Sequence, residues 1–377
     1  VWWGEVLHYT GMGKVGDPKT SSYKLDKIIW FICPGIFYLN DISVGRRFYT
    51  ICFKGGLILE ELKKTVCQEI RYEGLYNTKR LLLYNIKREW SLQRNNIKFT
   101  VEIITVLNQK VVTMKASKPV KFAKVFELLL EILKYECLYD GRFFSLNKME
   151  IDGEDKTVVV KPNMLSYYSG SRNYSVLSQP MNDTVYKRGF CAWERYNKQL
   201  LNVNQMFYYI GFSEGITADL RLALFSEIYE PLSELLSKEN KIQLINSKPV
   251  IERNEKCPAC GHLYKVTKSC EPSFNDEITS VVQAYGSDIF AGDDHETIIK
   301  KTVKTRNKML HVDMKKKETL SGDQCGFYMR KYVEIYRMIV LQQIKMWNTS
   351  MAEELKEAMI SYNQNFPKLR IKEKRIY

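Results

Sequence analysis

Three side chains near the C-terminal end of the chain could together cut RNA without a metal ion. Arg306, Asn307 and His311 lie close together in the sequence. Such a reaction needs a group that takes the proton of the ribose 2′-hydroxyl and a cation that stabilises the charge gathering on the phosphate. An imidazole titrates near neutral pH, whereas a guanidinium stays charged and offers phosphate a planar fork of donors. We therefore assign His311 and Arg306 to these roles and expect Asn307 to orient the imidazole or to hold the phosphate.

The segment from Glu296 to Val312 has the periodicity of a helix, and Arg306 falls within its apolar stripe. The neighbours of Arg306 on a helical wheel are Ile299, Val303 and Leu310 on one side and Thr302 and Met309 on the other. Asn307 and His311 are four residues apart and share the adjoining face. The sequence thus predicts that the three side chains line the edge of a packing surface.

Lysines occupy the next strip of this helix and the segment that follows it. Beside the motif they could bind the RNA backbone, although runs of charge are usually only solvated. The six predicted RNA-binding lysines are Lys301, Lys304, Lys308, Lys315, Lys316 and Lys317.

A structural role for the same residues is equally open to the residue pattern. Arg306 could be a core arginine that pairs with a carboxylate such as Glu227, and His311 could be a surface histidine near the end of its helix. Wheel geometry by itself favours this interpretation, because isolated Arg and His residues at helical spacing are common.

A cysteine pair in C-P-x-C spacing indicates a zinc knuckle in an insertion near residues 255–272. Two thiolates on a tight turn can hold one ion, and two further ligands would complete a tetrahedral site. The candidate ligands are Cys257, Cys260, His262 and Cys270. No second matching pair is present, so unliganded loop thiols are the alternative. The site would be structural, and we expect no cofactor in catalysis.

The acidic run from Asp293 to Glu296 could suggest a metal-dependent nuclease. Its position just before the motif helix favours helix capping, with Asp293 at the N-cap and Glu296 at the third helical position. No second carboxylate cluster marks a two-metal site.

The hydrophobic periodicity along the chain predicts an α+β fold, with a β-rich N-terminal domain and an all-α C-terminal bundle. Ile97 to Leu107 and Val111 to Ala116 alternate as strands of a hairpin, and Val120 to Leu138 has helical spacing. These patterns indicate a β-sandwich or a curled sheet with a packed helix. A Ser-, Asn- and Gly-rich stretch suggests domains at residues 1–185 and 186–377.

The bulk composition favours a polyanion as partner. The chain has 377 residues and a net charge of +14, which points first to nucleic acid. Nine scattered cysteines fit a reducing cytoplasm. No apolar run approaches the ~20 residues that span a bilayer, so we expect a cytoplasmic protein without a membrane partner. Phosphate-binding glycine motifs are missing, which disfavours ATP-driven functions.

The segment from Thr305 to His311 resembles the R-N-x-x-x-H form of the RX4–6H signature of HEPN ribonucleases. The layout resembles that of ApeA-type antiphage HEPN proteins, which join a β-rich N-terminal region to a C-terminal HEPN domain. Residues 191–360 carry most of this resemblance; over residues 1–190 it rests on architecture and a tryptophan-rich start.

The resemblance implies an endoribonuclease of abortive infection that arrests the growth of its host. It implies metal-independent cleavage of RNA, with tRNA or another structured RNA as the candidate substrate. It also implies a homodimer or higher oligomer that brings two copies of the motif together, and a phage-derived trigger as a further partner. The competing class is a non-catalytic HEPN scaffold that binds RNA or protein.

Overall fold

The computed structural model describes the chain in thirteen stretches. These are residues 31–33, 35–37, 42–44, 48–51, 66–76, 82–107, 109–141, 144–153, 157–160, 183–211, 216–256, 258–310 and 318–372. They fall into two compact units, residues 1–194 and residues 195–377.

The first unit is built on one eight-stranded sheet. The described strands of this unit are β1 (Phe31–Cys33), β2 (Gly35–Phe37), β3 (Ile42–Val44), β4 (Phe48–Ile51), β5 (Val66–Tyr76), β6 (Leu82–Arg94), β7 (Ile97–Leu107), β8 (Gln109–Lys121), β9 (Phe144–Gly153) and β10 (Thr157–Val160). Strands β1 and β2 form a separate hairpin, and the other eight form the sheet. The sheet order is β3-β4-β10-β9-β5-β8-β7-β6. Among the paired strands that the structure describes in this sheet, only β4 and β10 are parallel. The predicted β-rich region is confirmed, and eight of its described strands belong to one sheet.

The predicted hairpin is confirmed as β7 and β8. Alternate residues of β7, from Ile97 to Ile103, are buried, as expected for a sheet with one covered face. The preceding turn, between β6 and β7, places Asn95 and Asn96 at positive φ, 47° and 61°. Asparagine tolerates this conformation, which two-residue hairpin turns require.

Helix α1 (Phe122–Asp140) packs on the sheet against β5 and β8. Its apolar residues recur at helical spacing and are buried, among them Val125, Leu129 and Leu133, and Ile70 of β5 and Met114 of β8 are buried as well. The helix ends at Gly141, whose φ of 59° is a left-handed conformation that glycine adopts without steric cost. The helix predicted for Val120 to Leu138 is therefore confirmed.

The division between the two units falls within helix α2 (Asp183–Gln199), at Glu194 and Arg195. The domain boundary predicted after residue 185 falls in the same helix, close to its start. Most of the Ser-, Asn- and Gly-rich stretch that suggested this boundary lies outside the described residues. The two domain ranges stay a prediction.

The second unit is a helix bundle with one inserted hairpin. Its elements are α3 (Leu201–Met206), a π-helical turn (Phe207–Gly211), α4 (Ala218–Ser226), α5 (Tyr229–Lys238), the hairpin β11 (Val250–Lys256) and β12 (Leu263–Ser269), α6 (Phe274–Tyr285), α7 (His295–Leu310), α8 (Gly322–Gln343) and α9 (Thr349–Asn365). Helix α8 forms the centre, since every residue from Lys331 to Leu341 is buried. Helices α4 and α6 contact both α7 and α8. The α+β fold class is confirmed.

The apolar spacing from Ile216 to Leu236 predicts one helix with a kink at Pro231, but the structure divides it four residues earlier. The chain turns at Glu227 and Ile228, and Pro231 lies in the first turn of α5. A proline is tolerated there because the first N–H groups of a helix have no intrahelical partner. The interruption places Glu227 at the C-terminal end of α4, in contact with the motif helix.

Within the described part of the chain, every helix is too short or too polar to cross a membrane.

Candidate active site

Arg306 lies at the edge of the buried face of α7. The buried residues of this helix are Ile298, Ile299, Thr302 and Thr305. The apolar stripe is thus turned slightly away from Arg306, whose side chain keeps 20 % of its surface exposed. The sequence placed Arg306 within the stripe, and the structure places it on the rim, where a guanidinium can contact both protein and solvent.

Glu227 binds the guanidinium of Arg306 with both carboxylate oxygens. Arg306 Nε donates to Oε1 of Glu227, and Nη2 donates to Oε2 at 3.1 Å. This bidentate geometry is the strong form of an arginine–carboxylate pair. The hydrogen bonds that Arg306 donates to Glu227 raise the pKa of Arg306 above its already high usual value, so the guanidinium is charged at every relevant pH. The partner suggested by the structural interpretation is therefore present.

Phe274 and Asn307 contact two further sides of the same guanidinium. Its central carbon lies 4.7 Å from the centroid of the Phe274 ring, within cation–π range. Nη1 of Arg306 donates to Oδ1 of Asn307 at 3.0 Å. Asn307 therefore accepts from Arg306 through its oxygen, which leaves its amide NH₂ as a donor. The side chains of Arg306 and Asn307 are therefore hydrogen-bonded to each other, and their roles in catalysis stay a prediction.

His311 follows Leu310, the last residue of α7, and lies outside the described residues, as do Lys315, Lys316 and Lys317. The ends of the segment that contains them are nevertheless joined. Thr305 Oγ1 donates to the carbonyl of Lys301 at 2.8 Å and accepts from the backbone N–H of Leu320 at 3.1 Å. The start of α8 is thus fixed beside the last turns of α7.

The three predicted RNA-binding lysines on the motif helix are partly buried, and carboxylates lie near them. Lys304 Nζ lies 2.6 Å from Oε2 of Glu318. That hydrogen bond lowers the pKa of Glu318. Lys308 acts electrostatically on Asp219, whose pKa is lowered mainly by a hydrogen bond from Thr217. Lys301, Lys304 and Lys308 lie on one helix as predicted, and their binding to RNA stays a prediction.

The acidic run before the motif helix is divided between two tasks. Asp294, not Asp293, caps α7: its Oδ1 accepts from the backbone N–H of Thr297 at 3.0 Å. Asp293 is completely buried and binds Lys331 and Arg370. Glu296 pairs with Lys300 on the exposed face of the helix. The prediction of capping was right in kind and wrong by one residue.

The candidate zinc ligands do not all meet. Cys260 and His262 lie in the exposed loop at the tip of the β11–β12 hairpin. Cys270 lies at its base, where its backbone N–H donates to Pro249. The seven residues of β12 separate tip and base, roughly 20 Å at the rise of a strand. The hairpin therefore keeps Cys270 away from Cys260 and His262.

The remaining zinc ligand, Cys257, lies outside the described residues. Among the residues that are described, no three His, Cys, Asp or Glu side chains are grouped to hold a metal ion. A zinc site at the hairpin tip stays a prediction.

Sequence patterns suggested Glu227 only as one example of a partner, and they gave no hint of Phe274. Phe274 is the first residue of α6, whereas Arg306 lies in the next helix, α7. Their contact therefore depends on how α6 packs beside α7. Only the preference of α6 for an apolar face was readable from the sequence.

Comparison with known families identifies the helical region. The model of the Apea-like HEPN family matches residues 222–349. This range begins in α4 and contains Glu227, α6, the motif helix α7 and the central helix α8. Comparisons with curated proteins and with solved structures gave no significant match. Residues 222–349 of this chain are therefore an Apea-like HEPN domain, of the HEPN superfamily.

Proposed function

We propose that this chain is a metal-independent endoribonuclease of an antiphage abortive-infection system, with Arg306, Asn307 and His311 at its active site. The observation that carries the proposal is the fixed guanidinium of Arg306. It is charged, it is partly exposed, and it donates to the neighbouring Asn307 in a domain of the HEPN family. HEPN domains are in general ribonucleases or RNA-related modules, and many act in defence against phage.

The chemistry divides between the three residues. The imidazole of His311 takes the proton of the ribose 2′-hydroxyl as that oxygen attacks the adjacent phosphorus. The guanidinium of Arg306 stabilises the charge on the phosphate oxygens. The amide of Asn307 faces the same phosphate and adds a donor. The bond between phosphorus and the 5′ oxygen breaks as the new bond forms, and the departing oxygen takes a proton from solvent. The expected products are a 2′,3′-cyclic phosphate and a 5′-hydroxyl end.

Cleavage of tRNA or another structured RNA by purified protein in EDTA tests the proposal. His311→Ala and Arg306→Ala should each lower the rate by ~10²-fold or more, because one removes the base and the other the phosphate contact. Asn307→Ala should reduce it less. A substrate with 2′-deoxyribose at the cleaved position should resist. Equal activity of the wild-type and His311→Ala proteins would refute this mechanism.

A second candidate function is a non-catalytic scaffold that binds RNA or protein. The ion pair between Arg306 and Glu227 favours it, because an arginine neutralised within its own chain has a structural use without any substrate. The two functions differ in the cell. Overexpression of a ribonuclease should arrest growth, and His311→Ala should abolish this arrest, whereas a scaffold should be insensitive to the change.

The wider assembly belongs to the same proposal. RNA would contact Lys301, Lys304 and Lys308 and the lysines that follow His311. HEPN domains commonly dimerise, and we propose a homodimer or a higher homo-oligomer as the active form. The N-terminal sheet unit would respond to a phage-derived trigger.

A further inference from the structure

The guanidinium of Arg306 is held on three sides by its own chain. Glu227 takes the Nε–Nη2 edge, Asn307 accepts from Nη1, and the ring of Phe274 covers one face. Each contact comes from a different place: the end of α4, the start of α6 and α7 itself. The side chain thus has one orientation fixed by three elements of the domain.

The three contacts leave part of the guanidinium available. Of its five N–H donors, Glu227 engages two and Asn307 one. One N–H on each terminal nitrogen has no partner within the described residues. These are the second N–H of Nη2 and one N–H of Nη1, and 20 % of the side chain is exposed. A phosphate bound there would face the charge without displacing Glu227.

Stability alone gives little reason for such a pair. The side chains of Arg306 and Glu227 are 20 % and 26 % exposed, and even a bidentate pair that solvent can reach contributes only on the order of 1 kcal/mol. Preorganisation gives a stronger reason, because a cation already aimed at the developing charge does not have to reorganise during the reaction.

We infer that Glu227 is a positioning residue for RNA cleavage: it holds Arg306 so that the free end of the guanidinium meets the scissile phosphate. The inference rests on the proposed function. Glu227 does not touch the substrate in this arrangement. It acts through Arg306, and Phe274 completes the support by preventing the guanidinium from turning out of its plane.

Steady-state cleavage by the full-length chain tests this role. Glu227→Ala should lower kcat by about 10- to 100-fold, since a misplaced catalytic group costs up to about 10²-fold. KM should change much less. Glu227→Gln keeps the shape and one acceptor, and it should restore part of the rate. Glu131→Ala is the matched control: its carboxylate pairs with Lys134 at 3.1 Å and is 28 % exposed, close to the 26 % of Glu227.

A double-mutant cycle separates positioning from a general loss of structure. If Glu227 acts only through Arg306, the variant with both Glu227→Ala and Arg306→Ala should be no slower than Arg306→Ala alone. If the double variant loses rate by the product of the two single losses, or if Glu227→Ala keeps the full kcat, the inference is overturned. The proposed ribonuclease function would not be affected by either result.

A measurement that does not depend on cleavage distinguishes a loss of positioning from a loss of stability. The ¹⁵Nε–H NMR signal of Arg306, assigned by its loss in Arg306→Lys, should exchange slowly in the wild type and broaden in Glu227→Ala. An unchanged signal in Glu227→Ala would contradict the ordering role. Wild-type cleavage no faster than that of His311→Ala would instead refute the proposed function. This outcome differs from every outcome of the double-mutant cycle, so the two failures can be distinguished.

Discussion

Asp293 and Lys331 form an ion pair in which neither side chain is exposed to solvent. Arg370 joins them, with Nε donating to Oδ1 of Asp293 at 2.6 Å. The ammonium of Lys331 also lies 5.2 Å and 5.0 Å from the ring centroids of Phe290 and Phe327. One carboxylate thus connects the start of the motif helix α7 with the central helix α8 and with the C-terminal segment after α9.

Asp293→Ala should therefore destabilise the helical unit strongly. The change leaves Lys331 buried without its carboxylate, and breaking a buried pair typically costs about 3–5 kcal/mol. Urea unfolding followed by circular dichroism measures the free energy of unfolding. The control is Asp288→Ala, because Asp288 lies just upstream on the exposed surface. Equal stability of the two variants would show that the buried network contributes nothing.

The role of Asp293 also shows where sequence reasoning stops. An aspartate just before an amphipathic helix predicts an N-cap by a local rule, and the neighbouring Asp294 obeys that rule. The partners of Asp293 are 38 and 77 residues away in the sequence. No local pattern connects them, so the cap was assigned one residue early.

Helices and strands with a strong hydrophobic periodicity were predictable from the sequence. The β7–β8 hairpin and helix α1 were predicted because burial of one face imposes a period of 2 or 3.6 residues. The order of the sheet was not predictable, since β5 lies between β8 and β9 by long-range pairing. In the site, the types and spacing of Arg306 and Asn307 were readable, whereas the contact with Phe274 depends on helix packing.

Glu277 on α6 should make the stability of the domain depend on pH. Burial, and then the neighbouring Glu230 and Glu234, raise the pKa of Glu277 from 4.5 to about 7. The folded protein therefore keeps a proton that the unfolded chain has lost between these two values. By linkage, its contribution to stability falls as pH rises from about 4.5 to about 7 and stays low above that.

Glu277→Gln removes the loss of stability that ionisation of this carboxyl causes at higher pH. The variant should have a Tm near that of the wild type at pH 4.5 and a higher Tm at pH 8, as measured by differential scanning calorimetry. Glu357→Gln, at an exposed position on α9, supplies the control for loss of one carboxylate. A Tm difference for Glu277→Gln that is equal at both pH values would contradict the raised pKa.

The hairpin geometry predicts that any zinc at its tip is independent of Cys270. We expect Cys260→Ser to remove zinc from the purified protein and Cys270→Ser to leave it, because β12 separates Cys270 from the tip. Zinc per chain can be counted by inductively coupled plasma mass spectrometry. Zinc lost equally in both variants would show that the hairpin rearranges on binding. RNA cleavage should persist without the metal, since none of these residues belongs to the proposed chemistry.

A second chain at the active site would be required if Arg306 were buried without a partner. The ion pair with Glu227 removes that reason. The central helix α8 is a poor candidate for the interface, because Lys331 to Leu341 are buried within their own unit. A charge reversal there would disrupt the fold instead of an interface. The sequence spacing still favours two chains, because five residues correspond to about 140° on an ideal helical wheel, too far around for Arg306 and His311 of one chain to bind one phosphate.

Mixing two inactive variants tests whether the active site takes Arg306 from one chain and His311 from the other. Arg306→Ala and His311→Ala proteins, unfolded together and refolded as a 1:1 mixture, should give heterodimers with one intact composite site. Half of the dimers are then mixed and each holds one site of two, so about a quarter of wild-type activity should return. Each variant refolded alone is the control and should stay inactive. Sedimentation of differently tagged chains confirms that heterodimers form. If they form and the mixture stays inactive, Arg306 and His311 act within one chain, and the shared site is refuted.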